Sequence, residues 1–186
     1  MTREEIYIAL VRGINVGGSK VILMTDLKKV FEDAGFARVK TYIQSGNVVF
    51  ASEIGKTTEL EEMIKAAIKN RFKLDVGVLV LWLHELEKMV KKNPFNEDEL
   101  KPGERIYLTT LSNKPAKDKI PGLYRIRSDA DESELVDRTV YVLCRKGYSK
   151  SPFNNNCIER ALEVRATSRN LETMKKLIEM GRSIEP

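Results

Sequence analysis

The chain has 186 residues, 42% of them hydrophobic and 32% charged, with a formal net charge of +5. That length can bury a core without the disulfide or metal staples that matter mainly below roughly 70–80 residues, and it suits one large domain or two small packed ones. The longest apolar run, Val76–Leu83, falls far short of the ~20 residues of a membrane-spanning helix, and the N-terminal MTREEIYIAL lacks the pattern of a secretory signal.

Ile6–Val11 (IYIALV) is aliphatic, aromatic and short, and reads as a first strand. The Gly-rich loop Arg12–Ser19 follows. From Thr25, the recurrence of Leu27, Val30, Phe31 and Ala34 marks one face of a helix that Gly35 ends. Val39, Thr41 and Ile43 alternate as a second strand, Ser45-Gly46-Asn47 turns the chain, and Val48–Ala51 returns as a third. Thr58-x-x-Glu61 has the form of a capping box opening a second helix, whose apolar face is Leu60, Met63, Ile64, Ala67, Ile68 and Phe72. Val76–Leu83 is the fourth strand. The order βαββαβ predicts a ferredoxin-like α+β plait. Strands one and four are apolar on both sides, so the second sheet face is expected to be covered by the C-terminal half or by another subunit.

A third helix over about Glu85–Lys92 leads to Asn93-Pro94 and a polar stretch reaching Gly103. The expected division is therefore 1–92 for the first half and 93–186 for a second, smaller α+β half. There Arg105–Leu111 reads as a strand, Lys117–Ile120 as a short helical turn, Leu123–Arg127 as a strand, and Leu135–Arg145 as a hairpin or one bent strand. Helices over Asn154–Glu163 and Leu171–Met180 close the chain.

Charge is unevenly placed: residues 1–92 carry +3, residues 93–137 carry −3 and residues 138–186 carry +5, with no acid between Asp137 and Glu159. A basic C-terminal third favours an anionic partner. Cys144 and Cys157 form no CxxC motif and read as reduced thiols of a cytoplasmic protein, without a membrane partner. With a single histidine, His84, neither a His-based triad nor a multi-histidine metal site is expected within one chain, and His84 reads as a helix-start residue. Asp129-Ala130-Asp131-Glu132 lacks the glycine and closing glutamate of an EF-hand and reads as a solvated loop. No metal and no cofactor is expected.

Two groups of loops suit a ligand. Arg12-Gly13-Ile14-Asn15-Val16-Gly17-Gly18-Ser19-Lys20 follows a strand and could turn backbone N–H groups toward a phosphate, with Arg12 and Lys20 adding charge. Its Ser19-Lys20 reverses the order a P-loop needs, and a hairpin follows instead of a parallel crossover. The second group is Gly147–Asn156 and Ala166–Asn170, each preceding a helix whose free N–H groups favour an anion, although Asn154 and Asn170 also suit plain N-caps. The turn strand Ser45–Ala51 lacks the stacking aromatics of an RNA-recognition domain.

YIALVRGINVGGSK (Tyr7–Lys20), TYIQSGNVVF (Thr41–Phe50) and ATSRNLETMKKL (Ala166–Leu177) together resemble the bacterial family called domain of unknown function 1697. Leu171 and Ser19 depart from the residues common in that family. The resemblance implies two ferredoxin-like halves and a bacterial cytosolic setting, and no activity. It carries over Arg12, Asn15, Gly17, Gly18, Gln44, Ser45, Asn47, Asn155, Arg169 and Asn170 as ligand-binding candidates beside Lys20. These are small, amide or cationic groups, poor in acid–base chemistry. A binding protein for a phosphorylated ligand, a nucleotide or a nucleic-acid backbone is the leading expectation. A phosphoryl- or acyl-transfer enzyme using Arg12 and Arg169 for charge stabilisation and a structural adaptor are the alternatives.

Overall fold

A computed structural model describes residues 4–18 and 20–185. The contacts divide the chain into two compact units, Met1–Glu87 with Lys176–Pro186, and Lys88–Lys175.

In the first unit, β1 (Glu5–Arg12), α1 (Met24–Asp33), β2 (Ala37–Tyr42), β3 (Asn47–Ser52), α2 (Thr57–Phe72) and β4 (Gly77–Trp82) follow in the expected βαββαβ order. The sheet order is β2-β3-β1-β4 with every pair antiparallel, the ferredoxin-like arrangement, and β2 and β3 are the expected hairpin neighbours. Period-two alternation sends Tyr7, Ala9, Val11, Val48, Phe50, Val78 and Val80 into one core with Leu27, Val30 and Phe31 of α1 and Leu60, Ile64 and Ile68 of α2. Each Val, Leu, Ile or Phe among them taken out of water contributes on the order of 1.5–3 kcal/mol. The alternate residues Ile8, Leu10, Val49, Leu79 and Leu81 are buried too, as the doubly apolar strands require.

The capping box at Thr58 does not form. Lys56 stands at the N-cap of α2 with no side-chain capping bond, and Glu61 instead turns inward, where its carboxylate accepts the Val80 N–H at 3.0 Å. The reason lies at the sheet edge. β4 has a strand on one side only, so outward N–H groups need another acceptor. Glu61 satisfies Val80, and Glu85 satisfies the Trp82 N–H at 3.2 Å from the start of α3 (Leu83–Lys91). Glu61→Ala should cost about 1–3 kcal/mol, since it leaves a buried N–H without its acceptor. Glu61→Gln, which keeps an acceptor oxygen, should cost less; equal losses in urea titrations of the two variants would refute this role.

The second unit repeats the arrangement. β5 (Arg105–Leu111), α4 (Ile120–Tyr124), β6 (Glu132–Val136), β7 (Thr139–Cys144), α5 (Asn155–Leu162) and β8 (Ala166–Asn170) form an antiparallel sheet in the order β6-β7-β5-β8. α6 (Leu171–Arg182) follows directly. Three expectations need correction. Leu123–Arg127 is no strand: Pro121 in the first turn of α4 suits a helix start, and the short helix packs so closely on α5 that a Cβ on Gly122 would lie 2.6 Å from the Ala161 carbonyl oxygen. Ala166–Asn170 is an edge strand on β5 instead of a loop. Asp131 is buried, not solvated, and its carboxylate accepts the Arg145 N–H at 2.8 Å. Leu135–Arg145 resolves into a hairpin turning at Asp137, which takes a left-handed φ of 55°.

Candidate functional site

The Gly-rich loop leaves β1 at Arg12, which pairs with Gly77 of β4. Its path is left-handed at Gly13, Asn15, Gly17, Gly18 and Lys20; Ser19 lies outside the described residues. Asn15 organises the loop. Its side-chain amide donates to the carbonyls of Ile22 (3.0 Å) and Gln44 (2.8 Å), and its Oδ1 accepts the Ile22 N–H at 2.8 Å. The Lys20 ammonium donates to the Asp75 carbonyl at 2.7 Å. Asn47, fully buried, donates to the Tyr42 carbonyl and to Ser45 Oγ at 3.1 and 2.9 Å. Among the candidates in this unit, Asn15 and Asn47 thus hold the loop and the β2–β3 turn in shape, and Gln44 and Ser45 supply acceptors for them.

The second unit gathers its candidates around a residue absent from the sequence-derived set, Ser168 on β8. Tyr148 OH donates to Ser168 Oγ at 2.7 Å, and Ser168 Oγ donates to Asn155 Oδ1 at 2.6 Å. Thr109 Oγ1 of β5 lies 2.6 Å from the same oxygen. A hydroxyl has one proton, so with that proton on Asn155 the bond from Thr109 must be donated by Thr109. Tyr148 stacks on Tyr107 with centroids 4.3 Å apart. Asn155 is the first residue of α5, directly after the N-cap Asn154, whose Oδ1 accepts the Cys157 N–H. Asn170 acts as an N-cap for α6, its Oδ1 accepting the Thr173 N–H at 2.7 Å. Arg169 lies between Ser168 and Asn170, and its Nη1 donates to the Ser168 carbonyl at 2.9 Å.

The electrostatics of this cluster follow from burial. Although part of Arg169 reaches solvent, the protein packed around its guanidinium pushes its pKa down to about 10, opposed by attraction to Tyr148. Tyr148 and Tyr107 are pushed up, chiefly by desolvation, and Cys144 is pushed up to about 11 by the same cause. None of these groups is a base or thiolate at neutral pH. His84, second residue of α3, is exposed beside Trp82, at a ring distance of 5.6 Å. Among the described residues, no group of three or more His, Cys, Asp or Glu side chains could hold a metal.

The two plaits show what is particular about the second. Tyr7 lies between Phe50 and Trp82 in register, and Tyr107 lies between Val142 and Asn170. One step on, Ala9 pairs with Val80 in the first plait, and Thr109 pairs with Ser168 in the second. Leu81 of β4 corresponds to Arg169 of β8. Positions that are aliphatic in one copy (Ala9, Val80 and Leu81) are therefore hydroxyl and guanidinium in the other (Thr109, Ser168 and Arg169), and Trp82 is replaced by the amide Asn170. A sequence reading could have found them only by aligning IYIALV with IYLTTL, Ile106–Leu111.

A chain of two ferredoxin-like plaits, one with an apolar core of aliphatic and aromatic side chains and one with a polar cluster built into the strand-one and strand-four pair, is the class these features define. The chain belongs to the family described as protein of unknown function (DUF1697), whose model matches residues 4–141. Its fold is similar to that of conserved bacterial protein SP0830 from Streptococcus pneumoniae, at 22% identity over 96% of this chain and 99% of that one, with a TM-score of 0.75. No curated protein matches the sequence. No helix among the described residues is long and apolar enough to cross a membrane.

Proposed function

We propose that the protein binds a small phosphorylated ligand at the second plait, with Arg169 as the charged contact, the Asn155 side-chain amide N–H as a further donor, and Tyr148 and Ser168 as the groups that hold Asn155 in place. The observation that carries this reading is the replacement of the aliphatic pair Ala9–Val80 by the hydrogen-bonded pair Thr109–Ser168 at the same place in the repeated fold. Polar groups in a core are stabilising only when fully bonded, and their presence beside a partly desolvated guanidinium suits recognition of an oxyanion. Lys146, Lys150 and Arg165 add positive charge in the acid-poor C-terminal third. Binding is favoured over catalysis because the tyrosines and Cys144 near the cluster all have raised pKa values. The free cysteines Cys144 and Cys157 are compatible with a reducing, cytosolic compartment.

Thermal melting in phosphate against chloride at equal ionic strength tests this. A ligand at 100 times its Kd stabilises by about 2.7 kcal/mol, so phosphate or a nucleoside monophosphate should raise the melting temperature of the wild type above the chloride value. Phosphate also stabilises generally by exclusion from protein surfaces, so only the part lost in Arg169→Gln counts as binding. An equal phosphate effect in wild type and Arg169→Gln would overturn the proposal. A steep fall of affinity with salt for a short single-stranded oligonucleotide would identify the phosphate as that of a nucleic-acid backbone.

A further inference from the structure

We propose, resting on the binding reading above, that the ligand is a phosphate monoester whose oxyanion accepts the backbone N–H of Ser168 at the outer edge of β8. The first plait holds the precedent. There the outward N–H of Val80 on β4 is bonded by an oxyanion of the chain itself, the Glu61 carboxylate at 3.0 Å. Val80 and Ser168 occupy the same place in the repeated fold, paired with Ala9 and Thr109. The helix residues correspond too. Glu61 and Asn155 each precede a buried isoleucine by three positions, Ile64 in α2 and Ile158 in α5. Each also reaches the matching strand residue, Glu61 at the Val80 N–H and Asn155 at Ser168 Oγ. The second plait therefore carries a neutral amide where the first carries a carboxylate.

The Ser168 N–H faces away from β5. Residues two apart on a strand direct their N–H groups the same way, and the Ala166 N–H leaves the ladder to meet Glu159 Oε1 at 2.8 Å. The Ser168 carbonyl shares that outer edge and accepts from Arg169 Nη1 at 2.9 Å. The N–H and carbonyl of one extended residue lie side by side, so an oxyanion on the Ser168 N–H lies beside the guanidinium. Burial separates the two copies. Glu61, Val80 and Leu81 are buried, whereas Asn155, Ser168 and Arg169 are partly exposed. α2 also starts a full turn ahead of Glu61, at Thr57, while α5 starts at Asn155 itself. In the first plait the place is filled by the end of one side chain reaching from α2 to β4. Entry end-on suits a phosphate monoester, whose phosphate is a chain end with three acceptor oxygens. A phosphodiester has to run on in both directions.

Titration of the isotope-labelled full chain with inorganic phosphate, methyl phosphate and dimethyl phosphate, read by amide chemical shifts at constant ionic strength, tests the proposal. Inorganic and methyl phosphate should move the Ser168 amide saturably, and dimethyl phosphate should bind at least about tenfold more weakly. Arg169→Gln should abolish the saturable shifts. Saturable binding that depends on Arg169 but leaves the Ser168 amide in place overturns the Ser168 contact alone. No saturable shift at any amide overturns the binding reading with it. Equal affinity for methyl and dimethyl phosphate overturns the monoester assignment. Asn155→Glu gives the second plait a carboxylate of its own, and Asn155→Gln is its neutral match in length. Without phosphate, the Ser168 amide of Asn155→Glu should move toward its phosphate-saturated position in the wild type, and that of Asn155→Gln should not. The same Ser168 position in both variants overturns the correspondence with Glu61.

Discussion

Val80→Asp should lose on the order of 4–5 kcal/mol, a large part of the total stability of a domain of this size. Val80 is fully buried on β4, the edge strand of the first sheet, in one cluster with Phe31, Ile64 and Ile68. A carboxylate there has no polar partner among those side chains, so burial raises its pKa above the unfolded value of about 3.9. The pH dependence follows. Below about pH 4 the new group is protonated in both states, and the cost is that of a neutral polar group in a core. As pH rises, the unfolded state releases its proton first, so the variant loses further stability until the raised folded pKa is passed. Urea titrations at pH 4 and pH 7 should show a deficit that grows with pH. A variant within 1 kcal/mol of wild type at about pH 7 would mean that β4 does not pack as described.

Gly46→Ala should cost about 2–4 kcal/mol through two separate effects. Gly46 has a φ of 76°, where a Cβ is strained. A Cβ there would also lie 2.9 Å from the Val11 carbonyl oxygen and 2.8 Å from Ile14 Cδ1. The approach is close because the Val11 N–H donates to the Gly46 carbonyl at 2.8 Å, which holds the β2–β3 turn against the end of β1. Loss of that contact should loosen the link from Asn15 to the Gln44 carbonyl as well, so amide exchange at Ile22 should accelerate together with the fall in stability. Gly55→Ala is the control: nothing lies within 4 Å of a Cβ at that position. Similar melting of the two variants would show that the turn yields without cost.

Much of the first plait could be read from its sequence, because there the local signals agree. Short aliphatic strands, a helical face at Leu27, Val30 and Phe31, and a Ser-Gly-Asn turn all specify the same arrangement. The signals of the second plait are weaker. Pro121 and Gly122 hide a five-residue helix, and ATSRN has the composition of a loop. It becomes a strand because β5 offers it an edge, since strand formation depends on neighbours more than on intrinsic preference.

The candidate site divides in the same way. Asn15, Asn47 and Asn170 were visible in the sequence as polar groups at turns, and their bonds to nearby backbone or side chains fit such local roles. Ser168, Tyr148, Thr109 and Asn155 meet across separations of 13 to 59 residues, which no local pattern encodes. The chain by itself determined the order of elements in the first half, its core and its two Gly-rich turns, because periodicity and backbone freedom act between near neighbours in sequence. Only the tertiary structure decided that Glu61 satisfies an edge strand and that Ser168 is the centre of a polar cluster. Each of those outcomes depends on which distant backbone or side-chain group is brought within hydrogen-bonding or van der Waals reach.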